Sequence, residues 1–165
     1  MAKDSEGPLG SARMADPVTT AQLAALIGEH GPFAPGASIE GDQMIEITTE
    51  LLRHSAHPEF STVMASESVS RDYPGPDGFS EAWTDWVSPY ESMRIEFDDV
   101  IQLGDRVVFL VRQLARTRHS VVEVETPSAA VWWLEDGRIR KAGFYLDRRA
   151  GLKAAGLDPD RQPGG

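Results

Sequence analysis

Four long runs of alternating apolar residues fill the stretch from Met93 to Asp147, and the breaks between them are short. Met93 to Leu103 alternates, Gly104-Asp105 turns, and Val107 opens a run that reaches about Arg118. Ser120 to Leu134 follows, and Asp136-Gly137 then leads into Ile139 to Asp147. Period-two alternation predicts strands, and breaks this short predict hairpins rather than crossovers. Asp-Gly suits a type I′ turn, in which both central residues take positive φ. The second half of the chain is therefore expected to be an antiparallel meander of four strands.

The first half is helical in pattern. Thr19-Thr20 can cap a run with Leu23, Leu26 and Ile27 at helical spacing, which stops before Gly31-Pro32. A Gly/Pro-rich connector spans Gly31 to Gly41, and Asp42 starts a second run through Met44, Ile45, Ile47, Leu51 and Leu52 to about His54. His57-Pro58 breaks that helix, and Phe60 to Met64 reads as a short strand. Pro74-Gly75-Pro76-Asp77-Gly78 reads as a turn ahead of a third helix, Phe79 to about Trp86. In it Phe79, Ala82, Trp83 and Trp86 share one face. Arg149 to Leu157 adds a short closing helix. Helices followed by strands predict an α+β fold, with the helices covering one face of the sheet. Residues 1–17 are expected to form a disordered leader, 18–157 the folded domain, and 158–165 a disordered tail.

Composition narrows the partners. A chain of 165 residues with 41% hydrophobic content supports a single core. The balance of 16 Lys+Arg against 26 Asp+Glu leaves a net charge of −10. That surface repels phosphate backbones and anionic lipid heads, so neither nucleic acid nor a membrane is the expected partner. No cysteine is present, which excludes disulfides, thiolate metal sites and cysteine nucleophiles. The N-terminus lacks the apolar core of a signal peptide, and no apolar run approaches the roughly 18 residues of a membrane span, so a cytoplasmic location is expected.

Several stretches together resemble the SnoaL-like members of the nuclear transport factor 2-like superfamily, which includes ketosteroid isomerases, polyketide cyclases and scytalone dehydratase. They are Tyr73-Pro-Gly-Pro-Asp-Gly-Phe79 with Ala82-Trp83, Gly104-Asp-Arg-Val-Val108, Ala130 to Ile139, Phe144-Tyr-Leu-Asp-Arg148 and Leu152 to Leu157. The resemblance covers about Thr19 to Leu157. It implies a cone: a strongly curved, mostly antiparallel sheet with about three N-terminal helices on its concave face, closed around a pocket, and in many members a homodimer through the convex face. It implies no cofactor. The isomerases use a helix-1 tyrosine, a carboxylate base after the first strand and a protonated carboxylate on a central strand. Here no tyrosine precedes Tyr73, and the central-strand position falls near Ala129. Anchoring on Gly78 puts Asp72 at the base position, whereas anchoring on Gly75 puts Val63 to Ser66 there and fits His57-Pro58 better.

The candidate residues each have two readings. Asp72 and Tyr73 stand at the expected mouth of the cone, as a general base with a hydrogen-bond donor or as ordinary turn and rim residues. Asp99 alternates with Ile95, Phe97 and Ile101, so it is either functional or marks a β-bulge that resets the phase. Arg112 either points inward, to hold an enolate or carboxylate, or pairs with Glu123 or Glu125 on the next strand. His54 and His57 have H-x-x-H spacing, but Pro58 takes His57 off the helix, and no metal is expected. Trp83, Trp86 and Phe144, with Leu110 and Val131, are the expected pocket wall, suited to a flat hydrophobic ligand. Val107, Phe109 and Val111 on one side of a strand and Val108 and Leu110 on the other call for cover on both faces, hence the expected homodimer through the outer face.

Two functions follow. The first is a small-molecule pocket protein of SnoaL-like type, a cofactor-free isomerase, dehydratase or cyclase acting by acid–base chemistry on a polyketide-, terpenoid- or steroid-like substrate. The second is a non-catalytic ligand-binding or dimerisation module that lacks the isomerase residues. A pocket carboxylate without an ion partner favours the first, and a pocket lined by apolar side chains favours the second.

Overall fold

The computed structural model describes residues 19–28, 31–66 and 70–161. The expected leader, 1–17, and the end of the expected tail, 162–165, lie outside these residues. Helix α1 (Thr20–Ile27) begins with a reciprocal cap. The Gln22 N–H donates to the Thr19 hydroxyl at 3.0 Å, and the Thr19 N–H donates to the Gln22 side chain at 2.8 Å. Each contact satisfies a backbone donor that the helix leaves free. Helix α2 (Gly41–Ser55) has Asp42 in its first turn and Arg53 and His54 in its last, complementing the helix dipole at both ends. Helix α3 (Gly75–Val87) starts four residues earlier than the sequence suggests. Pro76 lies in its first turn, where the missing N–H costs nothing, so the proline-rich stretch begins the helix instead of preceding it.

Among the described residues, seven strands form one sheet in the order β1-β4-β5-β6-β7-β2-β3. Four are those of the expected meander: β4 (Tyr90–Leu103), β5 (Arg106–Thr117), β6 (Val124–Glu135) and β7 (Arg138–Tyr145), all paired antiparallel in sequence order. At the β6–β7 turn Asp136 has φ 53° and Gly137 φ 72°, the positive pair that a type I′ turn requires. Strand β6 starts at Val124 rather than Ser120, after a turn in which His119 takes φ 69°. The other three extend the sheet beyond the meander. β1 (Ser38–Glu40) emerges from the connector and pairs with β4, and β2 (Ala56–Ala65) leaves the end of α2 and runs parallel to β7. β3 (Ser70–Pro74) completes a hairpin with β2. The result is the mostly antiparallel cone, with one parallel pair at the β2–β7 junction.

A bulge decides which side chains face inward. Phe97 pairs with Val111 and Asp99 with Leu110, so Asp98 has no opposite residue. Before it Met93, Ile95 and Phe97 join the inner core under the helices; beyond it Ile101 packs on the outer face. Of the two readings of Asp99, the structure has the phase reset. The outer face carries its own apolar cluster of Ile101, Val108, Leu110, Ala129 and Val131, covered by Leu152 of α4 (Arg148–Ala154) and by Ala155. Val108 and Leu110 are 0% exposed there, so the apolar surface behind the expected homodimer is already covered by the chain's own C-terminal helix. Local contacts are made at the start of the expected tail. The Arg161 N–H closes a turn on the Asp158 carbonyl, and Asp160 pairs with Arg149 of α4. Among the described residues no helix is long and apolar enough to cross a membrane.

Candidate functional site

Inside the cone lies a narrow cavity that leaves about 40 Å³ for the centres of water-sized molecules. Two aromatic groups build its wall. Phe33 stacks on Phe97 at 5.2 Å, and Phe109 meets both edge-on at 5.9 Å. On α3, Trp83 stands edge-on to Phe144 of β7 at 4.9 Å, with Phe79 packed behind both. Edge-to-face contact is the favoured geometry of such rings, because it sets positive edges against negative faces. Trp86, Met44, Ile95, Val111 and Trp132 also line the cavity.

The polar groups of this wall are few. The Trp86 indole N–H donates to the Gln113 carbonyl oxygen at 2.8 Å. The Ser128 hydroxyl lies 3.0 Å from the Leu146 carbonyl and 3.1 Å from that of Thr126. The Trp83 indole N–H is buried without a partner among the described residues. Tyr145 borders the cavity, but its ring packs on the outer cluster and lies across Gly143, where even a Cβ would meet the phenol oxygen at 3.0 Å. Burial, and secondarily the negative charge of Asp72, pushes the Tyr145 phenol above its ordinary value. Among the described residues, then, no side chain that is charged at neutral pH lines the cavity. A second cleft shares Trp86 with it and is lined also by Met64, Ser66, Arg71, Tyr73, Ala82 and Asp85. Hydrogen bonding to Tyr73, with a smaller contribution from the Asp85 charge, raises the Arg71 guanidinium further and keeps it cationic.

The residues singled out from sequence divide between the two faces. Trp83, Trp86 and Phe144 line the cavity. Leu110 and Val131 do not: they pair with Ala129 and Val108 in the outer cluster, because inward positions on β5 and β6 fall to Phe109, Val111, Ala130 and Trp132. Arg112 is also outside, within 3.0 Å of Glu96 and of Asp98 and 3.5 Å of Glu125, while Glu123 is taken by Arg94. The bond to Asp98 is the main reason its pKa is raised. Asp98 also pairs with Arg148 at 2.9 Å, tying the bulge to the start of α4. Asp99 accepts the Val100 N–H at 2.9 Å and contributes nothing to the cavity wall. Asp72 is exposed, in the outer-face row that runs through Val63 and Gly143, and Tyr73 belongs to the second cleft.

His54 bonds Glu50 at 2.8 Å, whereas the His57 ring accepts the Glu59 N–H at 2.9 Å and lies 3.5 Å from Glu135. Pro58 separates them as expected, and among the described residues no three potential ligands cluster. Sequence reasoning missed Phe33, Gln113 and Ser128. Phe33 sits in a Gly/Pro connector with no period to read. Gln113 did leave a signal, as the polar end of the inward row Val107, Phe109, Val111.

Comparison with known proteins decides the family. The model of the SnoaL-like domain matches residues 30–142, more than half of the chain. The protein belongs to the SnoaL-like family. Solved structures with this fold include a putative SnoaL-like polyketide cyclase from Jannaschia sp. CCS1, 15% identical, with a TM-score of 0.55 over 93% of this chain and 100% of that one. TerC, co-crystallised with polyporic acid, is 17% identical, with a TM-score of 0.53 over 68% of this chain and 89% of its own. An NTF2-like protein of unknown function from Burkholderia pseudomallei K96243 is 16% identical, with a TM-score of 0.51 over 68% and 88%. Among curated proteins none matches the sequence. At these identities the structural likenesses establish the SnoaL-like fold alone.

Proposed function

We propose that this SnoaL-like protein binds a flat, hydrophobic, oxygenated small molecule inside its cone and performs no acid–base step on it. The observation that carries the reading is the lining itself: aromatic rings from five elements and a connector, a few neutral polar groups, and no charged side chain among the described residues. A mostly apolar cavity with a few placed polar atoms suits a small organic ligand. Acid–base catalysis as an isomerase, dehydratase or cyclase needs a base within about one hydrogen bond of the ligand. The carboxylates of Asp72 and Asp99 belong instead to the outer face, and Arg112 is held there by three carboxylates. TerC's crystallisation with polyporic acid lends support at the level of fold.

Tryptophan fluorescence during titration with flat aromatic ketones tests the binding half. Saturable quenching is expected, weakened about tenfold or more in Phe144→Ala, which removes the ring facing Trp83. No saturable change with any of the ketones rejects the reading. Proton NMR in D2O tests the other half: exchange of a bound ketone's α-protons faster than in buffer would restore the acid–base alternative.

A further inference from the structure

We infer that Gln113 selects the ligand by its carbonyl oxygen, and that Trp86 sets the amide so that it can do so. The inference rests on the binding reading above and adds what the cavity recognises. An indole N–H donates and never accepts, so the atom of Gln113 that faces Trp86 at 2.8 Å is the carbonyl oxygen. The amide orientation is thereby determined by the partner's chemistry, and the NH2 group must lie on the other branch of the amide. Gln113 is 6% exposed and lines the cavity; its carbonyl oxygen carries the bond to Trp86, and its NH2, unlike the Trp83 N–H, is not buried without a partner, so it stays reachable from the cavity. Across the strands it stands opposite Ile95 on β4 and Thr126 on β6.

The remaining polar hydrogens reinforce this. The Trp83 N–H has no acceptor among the described residues, and the Ser128 hydroxyl is directed to main-chain carbonyls. The wall therefore presents two donors to a bound molecule, the Gln113 NH2 and the unpartnered Trp83 N–H. A ligand that fills the cavity cuts these donors off from water, so one that brings an acceptor avoids the cost of leaving them unpaired. Ketones, quinones and enones carry such an oxygen in the plane of a flat ring system, whereas the parent hydrocarbon leaves the amide unpaired. A site built to hydrogen-bond one group rejects the analogue that lacks it. Gln113 is thus a specificity-determining residue, and Trp86 is a positioning residue that acts through it.

The test compares 9-fluorenone with fluorene, which share a ring frame and differ in the carbonyl. The wild-type protein should bind fluorenone about tenfold more tightly than fluorene. In Gln113→Met, which keeps the length and loses the amide, the ratio should fall to about one. Equal binding of the two by the wild type, or a preference that survives in Gln113→Met, overturns the inference while leaving the binding reading intact. Binding of neither rejects the binding reading, and this inference with it. Infrared spectroscopy guards against a variant that fails to fold, because it needs only the wild type. The ketone band of bound fluorenone should lie below its position in cyclohexane, and an unshifted band overturns the assignment. In Trp86→Phe the amide is free to turn, so the fluorenone preference should shrink while fluorene binding changes less; an unchanged preference removes Trp86 from the positioning role.

Discussion

Thr62 is fully buried on the inner side of β2, and its hydroxyl has no hydrogen-bond partner among the described residues. Valine has nearly the same shape, favours strands and brings no unpaired polar atom. Thr62→Val should therefore stabilise the fold by about 1 kcal/mol, read as a rise of about 2–4 °C in the thermal midpoint. A second residue-scale expectation concerns Tyr145. Burial is the larger cause of its raised pKa and the Asp72 charge the smaller. In Asp72→Asn the phenol should titrate at lower pH than in the wild type yet still above the free-tyrosine value, as followed by absorbance at 295 nm. The sign for stability is that of a raised folded pKa: the contribution is present below pH 10 and is lost as pH rises through the folded value. An identical Tyr145 titration in the two proteins would separate these side chains.

At the scale of elements, α4 is short but decides what the outer face of the sheet can be. Leu152 is completely buried against Val108, Leu110 and Val131, and Arg148 anchors the helix start through Asp98 and the Val111 carbonyl. Without that cover the outer sides of β5 and β6 would present branched apolar side chains to water. Leu152→Ala should cost about 2–5 kcal/mol in denaturant unfolding, as expected for a cavity-forming change at a closed site. A loss below about 0.5 kcal/mol would mean that α4 is only laid on the sheet. The bulge at Asp98 works with the helix, since it turns Ile101 outward to meet the same cluster.

For the molecule as a whole, a net charge of −10 makes the placement of its cations important. Arg94, Arg112, Arg116 and Arg148 are all engaged in ion pairs: Arg94 with Glu96 and Glu123, Arg112 with Glu96, Asp98 and Glu125, Arg116 with Glu91, and Arg148 with Asp98. Hydrogen bonding to Arg94, then the charge of Arg112, holds the Glu96 carboxyl below its ordinary value of 4.5. A depressed carboxylate pKa contributes stability above pH 4.5, and the contribution is lost as pH falls through the folded value. Glu96→Gln should accordingly have the lower thermal midpoint at pH 7, and the two melting curves should converge below pH 4.5. Curves separated by the same interval at every pH would remove the carboxylate's charge from the account.

Local chemistry by itself determined the two hairpins and the inward face of α3. Asp136-Gly137 favours the positive-φ pair of a type I′ turn, Gly104 supplies the positive φ of the other hairpin, and Phe79, Ala82, Trp83 and Trp86 share a side of any helix that contains them. The cone was legible only through its resemblance to a family, since no turn signal specifies that β2 returns parallel beside β7. The identity of the pocket wall needed the tertiary structure. β5 is apolar on both sides, Val107, Phe109 and Val111 against Val108 and Leu110, so alternation defined two faces without saying which one the helices close. The answer came from distant parts of the chain: the unpaired residue in β4, the C-terminal helix that claims the outer face, and Phe33 brought in from a connector. Periodicity is a property of neighbours along the chain, whereas inside and outside are decided by which segment packs where.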